Sequence, residues 1–342
     1  MLCPDCMRPL RVADGGAPAC PTCGREPEEV DGVILALPRA VAEREIKERE
    51  KQGWQSHSLP PDEASRDLLL RLPYVEDDSP LPTHYREAAR QLRCALDYLS
   101  PVQGKRGLDL GGHVGWAAYR FVERGAEMVC VDYNDDARSG LRAGSAYIES
   151  GFAFDRVCAD AEALPLDDGQ FDFVFSSAFL HHLPSPAKAI AHVARVLKPG
   201  GVYFASTEAF CPFWSGRKRV LTRCDLAMRN ISDGINEQVF HMSEYGKWFR
   251  EAGLRLRVVN PRWDTVAAGG IGFGERLREP GFRPEILTNR ARSGGASGVL
   301  ARAALASGAW RPLAHPAVFP WVRGALLSGT QKFRILLGVK DG

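Results

Sequence analysis

Four cysteines near the start of the chain have the spacing of a metal site. Cys3 and Cys6 form one pair, Cys20 and Cys23 form another, and 13 residues separate the two pairs. A gap of two residues lets one tight turn present two thiolates to the same ion, and zinc binds four thiolates tetrahedrally. Because so short a segment has almost no hydrophobic core, a bound ion would supply its folding energy. The spacing predicts a structural Zn²⁺ site with no open position for catalysis; two disulfides or idle thiols are the alternative.

Two carboxylates flank a glycine turn further along the chain. An apolar run that contains Asp109 is followed by glycines, an amphipathic segment and a second apolar run that ends in Asp132. This order is typical of a strand–turn–helix–strand unit, and an acid about 20 residues after the turn can accept both hydroxyls of a ribose. Asp109, two residues before Gly111, would repel the phosphates of a dinucleotide, and His113 breaks the G-x-G-x-x-G pattern. S-adenosylmethionine has a ribose, an ammonium and a sulfonium but no phosphate, so it fits both acids.

At these residues the chain resembles the class I S-adenosylmethionine-dependent methyltransferases, of the type 11-like group. Their first motif, D-x-G-x-G-x-G, is matched by residues 109–115 except that His113 replaces the middle glycine. Residues 164–201 resemble the family over their whole length, and the resemblance covers residues 84–260. It implies a doubly wound, Rossmann-like α/β sheet of seven strands, with the last strand antiparallel between strands 5 and 6. The cofactor-binding residues that the resemblance implies are Asp109, Gly111, Gly112, Gly115, Asp132, Tyr133, Asp160 (against the adenine amino group), Ala161 and Ser176.

The elements that must position these residues follow from hydrophobic periodicity and from turn and capping residues. Nearly all of residues 171–177 are apolar, as in a parallel strand that is buried on both faces. Residues 134–136 and Ser243 are expected to cap the helices that follow them. The predicted helices are 84–99, 115–124, 187–197 and 244–252, and the predicted core strands after the glycine-turn unit are 154–158, 171–177, 202–205, 254–260 and 333–339.

Candidate catalytic residues follow two of the predicted strands, at the edge where open α/β sheets bind ligands. His181 and His182 follow the fourth core strand, and Glu208 follows the fifth. Methyl transfer to a hydroxyl requires removal of its proton. Some sugar O-methyltransferases that this chain resembles pair a histidine in the first of these positions with an acid after strand 5, although Glu208 lies one residue past the family's position, Thr207. We expect His181 to be the base and Glu208 to orient it; the alternative is that the histidines only pack or cap a helix.

The segment before the core is rich in charge and proline. Residues 33–37 are predicted to form a strand that ends at Pro38, and a short helix is expected over 62–71. A charged helix is expected from residue 42 onward, and its pair Glu43/Lys47 has the i,i+4 spacing of a solvated helix face. This pattern favours a connector with no direct part in the chemistry.

The segment before the last strand is basic. Residues 261–332 contain ten Lys/Arg against four Asp/Glu, a net charge of +6. This charge favours either an anionic acceptor or a basic face that docks on the acidic remainder of the chain. The predicted division is a zinc ribbon over 1–40, a connector over 41–83, a cofactor-binding core over 84–260, an insertion that covers the substrate over 261–332, and the last core strand within 333–342.

Composition limits the class of protein. The chain has 342 residues, 45% of them apolar and 25% charged, which is typical of a globular protein with one large domain and a small one. A net charge of +2 provides no global field for binding nucleic acid. No apolar run approaches the ~20 residues of a membrane span, and the first residues lack the apolar core of a signal peptide. Nine cysteines without an export signal indicate thiols or metal ligands, so we expect a cytoplasmic location.

Together these features predict an enzyme that methylates an oxygen atom of a small molecule or sugar in a biosynthetic pathway, with an anionic acceptor as one alternative. The runner-up is an rRNA base methyltransferase, because bacterial rRNA guanine-N1 methyltransferases have a similar zinc head. Against it, residues 1–40 contain four arginines but no aromatic ring to stack on bases. An interpretation of another class is a non-catalytic binding module with a methyltransferase fold, which the replacement at His113 leaves open.

Overall fold

The computed structural model describes residues 1–12, 18–57, 63–75, 84–211, 215–259, 291, 295–308 and 333–342. The chain divides into two compact units, Met1–Val259 with Lys332–Gly342, and Asn260–Gln331. In the second unit the described residues include one helix, Ala296–Ser307. Most of the predicted insertion over 261–332, with all of its basic side chains except Arg302, lies outside the described residues.

Ten strands of the first unit form one sheet, and two more form a separate antiparallel pair. In chain order the strands are β1 (Arg11–Val12), β2 (Pro18–Ala19), β3 (Glu28–Val30), β4 (Val33–Leu35), β5 (Arg106–Leu110), β6 (Glu127–Asp132), β7 (Asp155–Cys158), β8 (Phe171–Ser177), β9 (Leu197–Cys211), β10 (Phe240–His241), β11 (Leu254–Val259) and β12 (Phe333–Lys340). The order across the sheet is β11-β12-β9-β8-β5-β6-β7-β4-β3, and β10 pairs with β9.

Seven of these strands form the predicted core. β5 to β9 are parallel to one another, and β12 is antiparallel between β9 and β11. β9 and β11 are the fifth and sixth core strands in chain order, so the predicted antiparallel seventh strand between them is confirmed. The predicted number of strands is too small, because the cysteine-containing segment extends the sheet: β4 pairs in parallel with β7, and β3 pairs with β4.

Helices cover both faces of the sheet. In chain order the described helices of the first unit are α1 (Arg44–Ser56), α2 (Glu63–Arg71), α3 (His84–Leu99), α4 (Trp116–Val122), α5 (Ser145–Glu149), α6 (Pro186–Val196), α7 (Arg217–Leu221), α8 (Asp225–Ser232) and α9 (Met242–Glu251). The helix of the second unit is α10 (Ala296–Ser307) and is described by itself. The predicted bounds of α3 and β8 are confirmed at both ends, because hydrophobic periodicity and turn residues agree there. None of the helices in the described ranges is both long and apolar enough to span a membrane.

Two predicted helix caps are wrong. α9 begins two residues earlier than Ser243 allows, with His241 at its N-cap, where the His241 backbone N–H donates to the Glu244 carboxylate at 2.8 Å. The side chains of Asn134 and Asp136 accept hydrogen bonds from backbone N–H groups of their own turn rather than from the next helix. Short polar side chains form such local turns as readily as they form caps.

The hydrophobic core lies on both sides of the central strand β8. Phe173 and Phe175 face α4, where the ring centroids of Phe121 and Phe173 are 4.8 Å apart. Val174 faces the opposite way and belongs to the cluster of buried side chains that also contains Ile190 of α6. Because successive side chains of a strand point to opposite faces, β8 fixes both helix layers, and the carboxyl ends of the parallel strands remain available for a site.

Candidate functional site

A cavity of about 280 Å³ lies at the carboxyl ends of the central parallel strands. Side chains of α1, α3 and α8 line its other sides, together with the chain that leads to β10. This is the edge at which the sheet topology favours ligand binding. Of the residues predicted to bind the cofactor or to catalyse, those that line the cavity are Asp109, Gly111, Gly112, Asp132, Tyr133, Asp160, Ala161 and His181.

Three of the predicted site residues do not line the cavity. Ser176 is fully buried, and its hydroxyl lies 3.0 Å from that of Tyr203; side chains alternate along β8, so Ser177 lines the cavity instead. Gly115 lies behind the turn, with φ +86°, where a Cβ atom would be 2.8 Å from the Phe154 ring. Glu208 is fully buried behind His181. Of the two serines that end β8, Ser177 and not the predicted Ser176 therefore lines the cavity.

The glycine turn after β5 is required by close packing. A Cβ atom at Gly111, which has φ +70°, would lie 2.0 Å from the Phe179 ring. A Cβ atom at Gly112 would lie 2.7 Å from an oxygen of the Asp109 carboxylate. That carboxylate is 2% exposed and accepts a hydrogen bond from the Ala118 backbone N–H at 2.9 Å. Burial, with a further contribution from the charge of Asp132, raises the pKa of Asp109 to about 7.

Asp132 ends β6 beside this turn. Its two carboxylate oxygens accept hydrogen bonds from the backbone N–H groups of His113 and Asn134, each at 2.8 Å. Burial raises the pKa of Asp132, against the opposing effects of His113 and of the backbone donors. The side chain is thereby held in one orientation, and a carboxylate oxygen can accept more than one hydrogen bond, so both oxygens can still accept from a ligand.

His113 takes the backbone conformation that its motif position requires of a glycine, with φ +55°. Its ring lies against Trp54 of α1, with the ring centroids 5.6 Å apart. Its Nε2 atom is buried without a hydrogen-bond partner among the described residues. Burial lowers the pKa of His113, so the imidazole is neutral at pH 7 and both lines the cavity and packs α1 against the turn.

Lys47 corrects the expectation that α1 has a solvated face. Its ammonium is 7% exposed and donates to Asp160 at 2.7 Å and to Glu162 at 2.9 Å. The predicted pair with Glu43 does not form, because α1 begins only at Arg44 and its Lys47 face is turned toward the end of β7. Asp160 also accepts from the Glu162 backbone N–H at 2.9 Å. α1 is thus fixed over the edge of the sheet by a buried ion pair.

His181 and Glu208, 27 residues apart in the chain, are in direct contact. His181 Nδ1 lies 2.8 Å from one oxygen of the Glu208 carboxylate, and the other oxygen accepts the backbone N–H groups of Phe179 and Leu180 at 3.1 and 3.0 Å. Because an ionised carboxylate only accepts, we assign the proton to Nδ1, which leaves the lone pair on Nε2. Burial lowers the pKa of His181, but the charge and hydrogen bond of Glu208 outweigh it, so the pKa is raised.

A β-bulge explains how Glu208 reaches the histidine. Glu208 pairs with Arg334 of β12, and Ala205 pairs with Leu336, so Ser206 and Thr207 together face a single residue of the partner strand. Thr207 has φ +59°, and its backbone N–H donates to the buried Gln91 side chain of α3. A bulge of this kind re-aims the side chain that follows it.

Several residues of the cavity have no signal in the sequence. Glu50 and Lys47 of α1 and Glu237 before β10 line the cavity beside His182. Burial raises the pKa of Glu50 to about 8, and burial together with the charge of His181 lowers the pKa of His182 to about 4. The segments that carry these residues contain no motif that indicates a binding site. The residues become neighbours only in the folded chain, so the sequence could not identify them.

The four N-terminal cysteines converge. Their sulfur atoms all lie within 4.8 Å of one another, Cys3 Sγ and Cys23 Sγ are 3.6 Å apart, and none of the cysteines is in a disulfide. Tetrahedral zinc with Zn–S bonds of ~2.3 Å places its sulfurs ~3.8 Å apart, so the donors fit the ion. The head contacts the core directly, since the Met1 ammonium pairs with Asp167 at 2.7 Å and the Leu2 N–H donates to the Pro165 carbonyl.

The middle of the chain is similar to a known protein family and to known proteins. Residues 108–205 match the family model described as "Methyltransferase domain". A ubiquinone biosynthesis O-methyltransferase of Pseudomonas aeruginosa is 32% identical over 171 residues, which is 47% of this chain and 69% of the relative. An uncharacterised methyltransferase of Mycobacterium tuberculosis is 39% identical over 107 residues, 31% of this chain. The chain spans only 41% of the length of that relative.

Solved structures are similar at lower identity. The YcgJ protein of Bacillus subtilis has a TM-score of 0.46 at 19% identity, with 74% of this chain and 99% of that chain covered. A phosphoethanolamine N-methyltransferase of Haemonchus contortus has a TM-score of 0.49 at 16% identity, with 89% and 61% covered. Both TM-scores are below 0.5, so the relationship rests on the sequence matches.

Proposed function

The chain belongs to the methyltransferase domain family, and from this premise we propose that it transfers a methyl group from S-adenosylmethionine to an oxygen atom of a small molecule or sugar. The observation that carries the proposal is the pair of acids Asp109 and Asp132, which line the cavity at the ends of adjacent strands. A buried carboxylate and a partly buried one beside a glycine turn favour a cationic nucleoside over a phosphate-bearing one.

The cofactor supplies a methyl group that is already activated on a sulfonium, so the protein's main tasks are to bind and to position. In this proposal Asp109 faces the positive charge of the methionine portion, and Asp132 accepts from the ribose hydroxyls. Asp160 and Ala161 contact the adenine, and Tyr133 packs nearby. Lys47 does not prevent this, because each oxygen of the Asp160 carboxylate retains acceptor capacity beside its present donor.

Charge in the cavity bears on the acceptor. Lys47 and Lys51, the lysines that line the cavity among the described residues, are both paired with acids. No lysine of the described lining is therefore free to bind an anion. The expectation of an anionic acceptor is based only on the basic charge of the insertion over 261–332. What supports oxygen as the acceptor atom is the His181–Glu208 pair and the similarity to a protein named as an O-methyltransferase.

The His181–Glu208 pair is proposed to remove the proton of the acceptor. Glu208 holds the Nδ1 proton, so Nε2 of His181 can accept a proton from a hydroxyl as the methyl group is transferred. The imidazolium that forms is stabilised by the Glu208 carboxylate, because the two groups are buried together at 2.8 Å. A histidine that only capped a helix would not need a buried carboxylate oriented by two backbone donors.

We further propose that Cys3, Cys6, Cys20 and Cys23 hold a structural Zn²⁺ that braces the head against the core. Support comes from the tetrahedral spacing of the sulfurs and from the pairing of β4 with β7. All four protein ligands are thiolates, so such a site has no open position for catalysis.

Calorimetry tests the cofactor assignment. The wild-type protein should bind S-adenosylmethionine and S-adenosylhomocysteine but not NAD⁺, and Asp132→Asn should weaken both nucleosides. The control is Asp155→Asn, an exposed acid at the start of β7. A preference for NAD⁺, or unchanged affinity in the double variant Asp109→Asn/Asp132→Asn, would exclude this function. If the protein with bound S-adenosylmethionine also binds RNA, with an affinity that falls steeply with salt, the rRNA methyltransferase is favoured instead. If neither nucleoside binds, the non-catalytic binding module is favoured.

A further inference from the structure

Three cavity side chains converge in an arrangement that the proton transfer does not require. His181, His182 and Glu237 each offer one possible ligand atom, and these atoms all lie within 4.8 Å of one another. Both histidines are buried and Glu237 is partly buried. Two imidazole nitrogens and one carboxylate oxygen are a common ligand set for a divalent transition-metal ion.

Both imidazoles are oriented as metal ligands usually are. Nδ1 of His181 donates to Glu208 at 2.8 Å, and Nδ1 of His182 donates to the Asn236 backbone carbonyl at 3.0 Å. Since a carbonyl and a carboxylate only accept, both protons are on Nδ1 and both lone pairs are on Nε2. Metal-binding histidines usually donate their other ring N–H to a carboxylate or carbonyl in this way.

The carboxylate is also held in place. One oxygen of Glu237 accepts from the Asn230 side chain at 2.6 Å. Besides the bond from His182 Nδ1 to the Asn236 carbonyl, three hydrogen bonds join the segment that carries Glu237 to the segment that carries the histidines: Gln238 N to His181 O, Asn236 Nδ2 to His182 O, and Gln238 Nε2 to Leu183 O, between 2.6 and 3.0 Å. The ligand atoms are therefore brought together by the folded chain before any ion binds.

We propose that His181, His182 and Glu237 bind a divalent transition-metal ion, with Zn²⁺ or Co²⁺ favoured over Mg²⁺, and that the metal-bound protein cannot methylate its acceptor. Nitrogen ligands favour the borderline ions, whereas Mg²⁺ requires oxygen ligands. The second half rests on the proposed function, because the Nε2 lone pair of His181 cannot hold a metal ion and accept a proton at the same time. The site is thus a point of metal inhibition.

Titration with Co²⁺ of the full-length protein that carries one equivalent of Zn²⁺, at the four cysteines, tests the site. Zinc at the cysteines resists displacement, because Co²⁺ is the weaker binder in the Irving–Williams order. We expect one further equivalent of Co²⁺, with visible absorption but no thiolate charge-transfer band. Glu237→Gln and His182→Gln should each weaken it at least about tenfold, whereas Glu251→Gln, an exposed acid of α9, should not.

Two results of the titration would overturn the site: no Co²⁺ bound beyond the cysteines, or an affinity that neither variant changes. Glu237→Gln preserves the acceptor for Asn230, so this variant remains informative if His182→Gln fails to fold. In the methylation assay, Zn²⁺ should inhibit turnover. Glu237→Gln should raise the Zn²⁺ concentration needed for inhibition by the same factor by which it lowers the affinity for Co²⁺. Faster turnover with metal would overturn the inhibitory role. If no acceptor is methylated under any condition, the proposed function fails, while the Co²⁺ titration still decides the metal site.

Discussion

Replacement of Glu208 by glutamine separates the charge of this side chain from its shape. One carboxylate oxygen accepts the N–H groups of Phe179 and Leu180, and the other accepts from His181 Nδ1. If the amide oxygen of the new side chain retains the two backbone donors, its NH₂ group points at Nδ1. Nδ1 must then accept, so the ring proton moves to Nε2, the atom that has to take the acceptor's proton.

The expected loss follows from this change of tautomer. A positioned general base contributes about 10²- to 10⁴-fold to a rate. The equivalent Asp→Asn change in a serine-protease triad lowers kcat by about 10⁴, also through the wrong tautomer. We therefore predict that Glu208→Gln lowers kcat by about 10²- to 10⁴-fold, which is about 2.7 to 5.4 kcal/mol of barrier. Affinity for S-adenosylmethionine should not change, because Glu208 does not line the cavity.

The assay is transfer of a labelled methyl group from S-adenosylmethionine to an acceptor found by screening hydroxylated small molecules and sugars. Calorimetry with the cofactor and a thermal melt accompany it. Glu123→Gln is the matched control, since Glu123 pairs with Arg120 at 2.8 Å away from the cavity. Wild-type kcat in Glu208→Gln would refute the base assignment. A cofactor affinity that falls as far as kcat would show that Glu208 acts through the fold instead.

Three further predictions concern binding and stability. Lys47→Met leaves the buried acids Asp160 and Glu162 unpaired, so it should lower the free energy of unfolding by about 3–5 kcal/mol. The control Arg49→Met removes an exposed ion pair and should cost about 0–1 kcal/mol. Equal urea midpoints for the two variants would contradict the stabilising role of the buried pair. Binding of the cationic cofactor should lower the raised pKa of Asp109, so near pH 7 the affinity for the cofactor should rise with pH and binding should release protons. The released protons make the measured binding enthalpy depend on the buffer. A binding enthalpy that is the same in all buffers, or unaltered proton release in Asp109→Asn, would count against this prediction. Metal analysis should find a zinc ion that Cys20→Ser loses and Glu237→Gln retains, and Cys20→Ser should increase hydrogen exchange in β3 and β4; slow exchange there without zinc would show that the metal is not structural.

Local sequence predicted the central elements because their signals are local. β8 is almost continuously apolar and bounded by turn residues, and α3 has an apolar stripe of helical period, so both were predicted with the correct bounds. The acid and glycine positions of the turn after β5 were readable because the close approach of Phe179 and Asp109 leaves no room for a side chain. A requirement of this kind appears directly as residue type.

What the sequence did not reveal depends on contacts between distant residues. Lys47 has the spacing of a solvated helix face, but its partners lie 113 and 115 residues further along the chain. The strand β4 was predicted, yet nothing in its own residues indicates that it pairs with β7. The resemblance to the family implies Ser176 as a site residue, but a register of one residue decides which of the two serines in β8 faces the cavity.

Glu208, in β9, depends both on local sequence and on contacts between distant residues. Counted along the sequence, Glu208 lies one residue too late to pair with His181, because side chains of a regular strand alternate. The bulge at Ser206 and Thr207 adds the residue that restores its direction, and it does so with a β-branched residue at φ +59°, a conformation that costs on the order of 1–3 kcal/mol. The displaced Thr207 N–H is accepted by Gln91, a fully buried side chain of α3. The strained backbone, supported by a buried amide, brings one carboxylate to two backbone donors and to the His181 ring, which is the arrangement that the proposed catalytic pair requires.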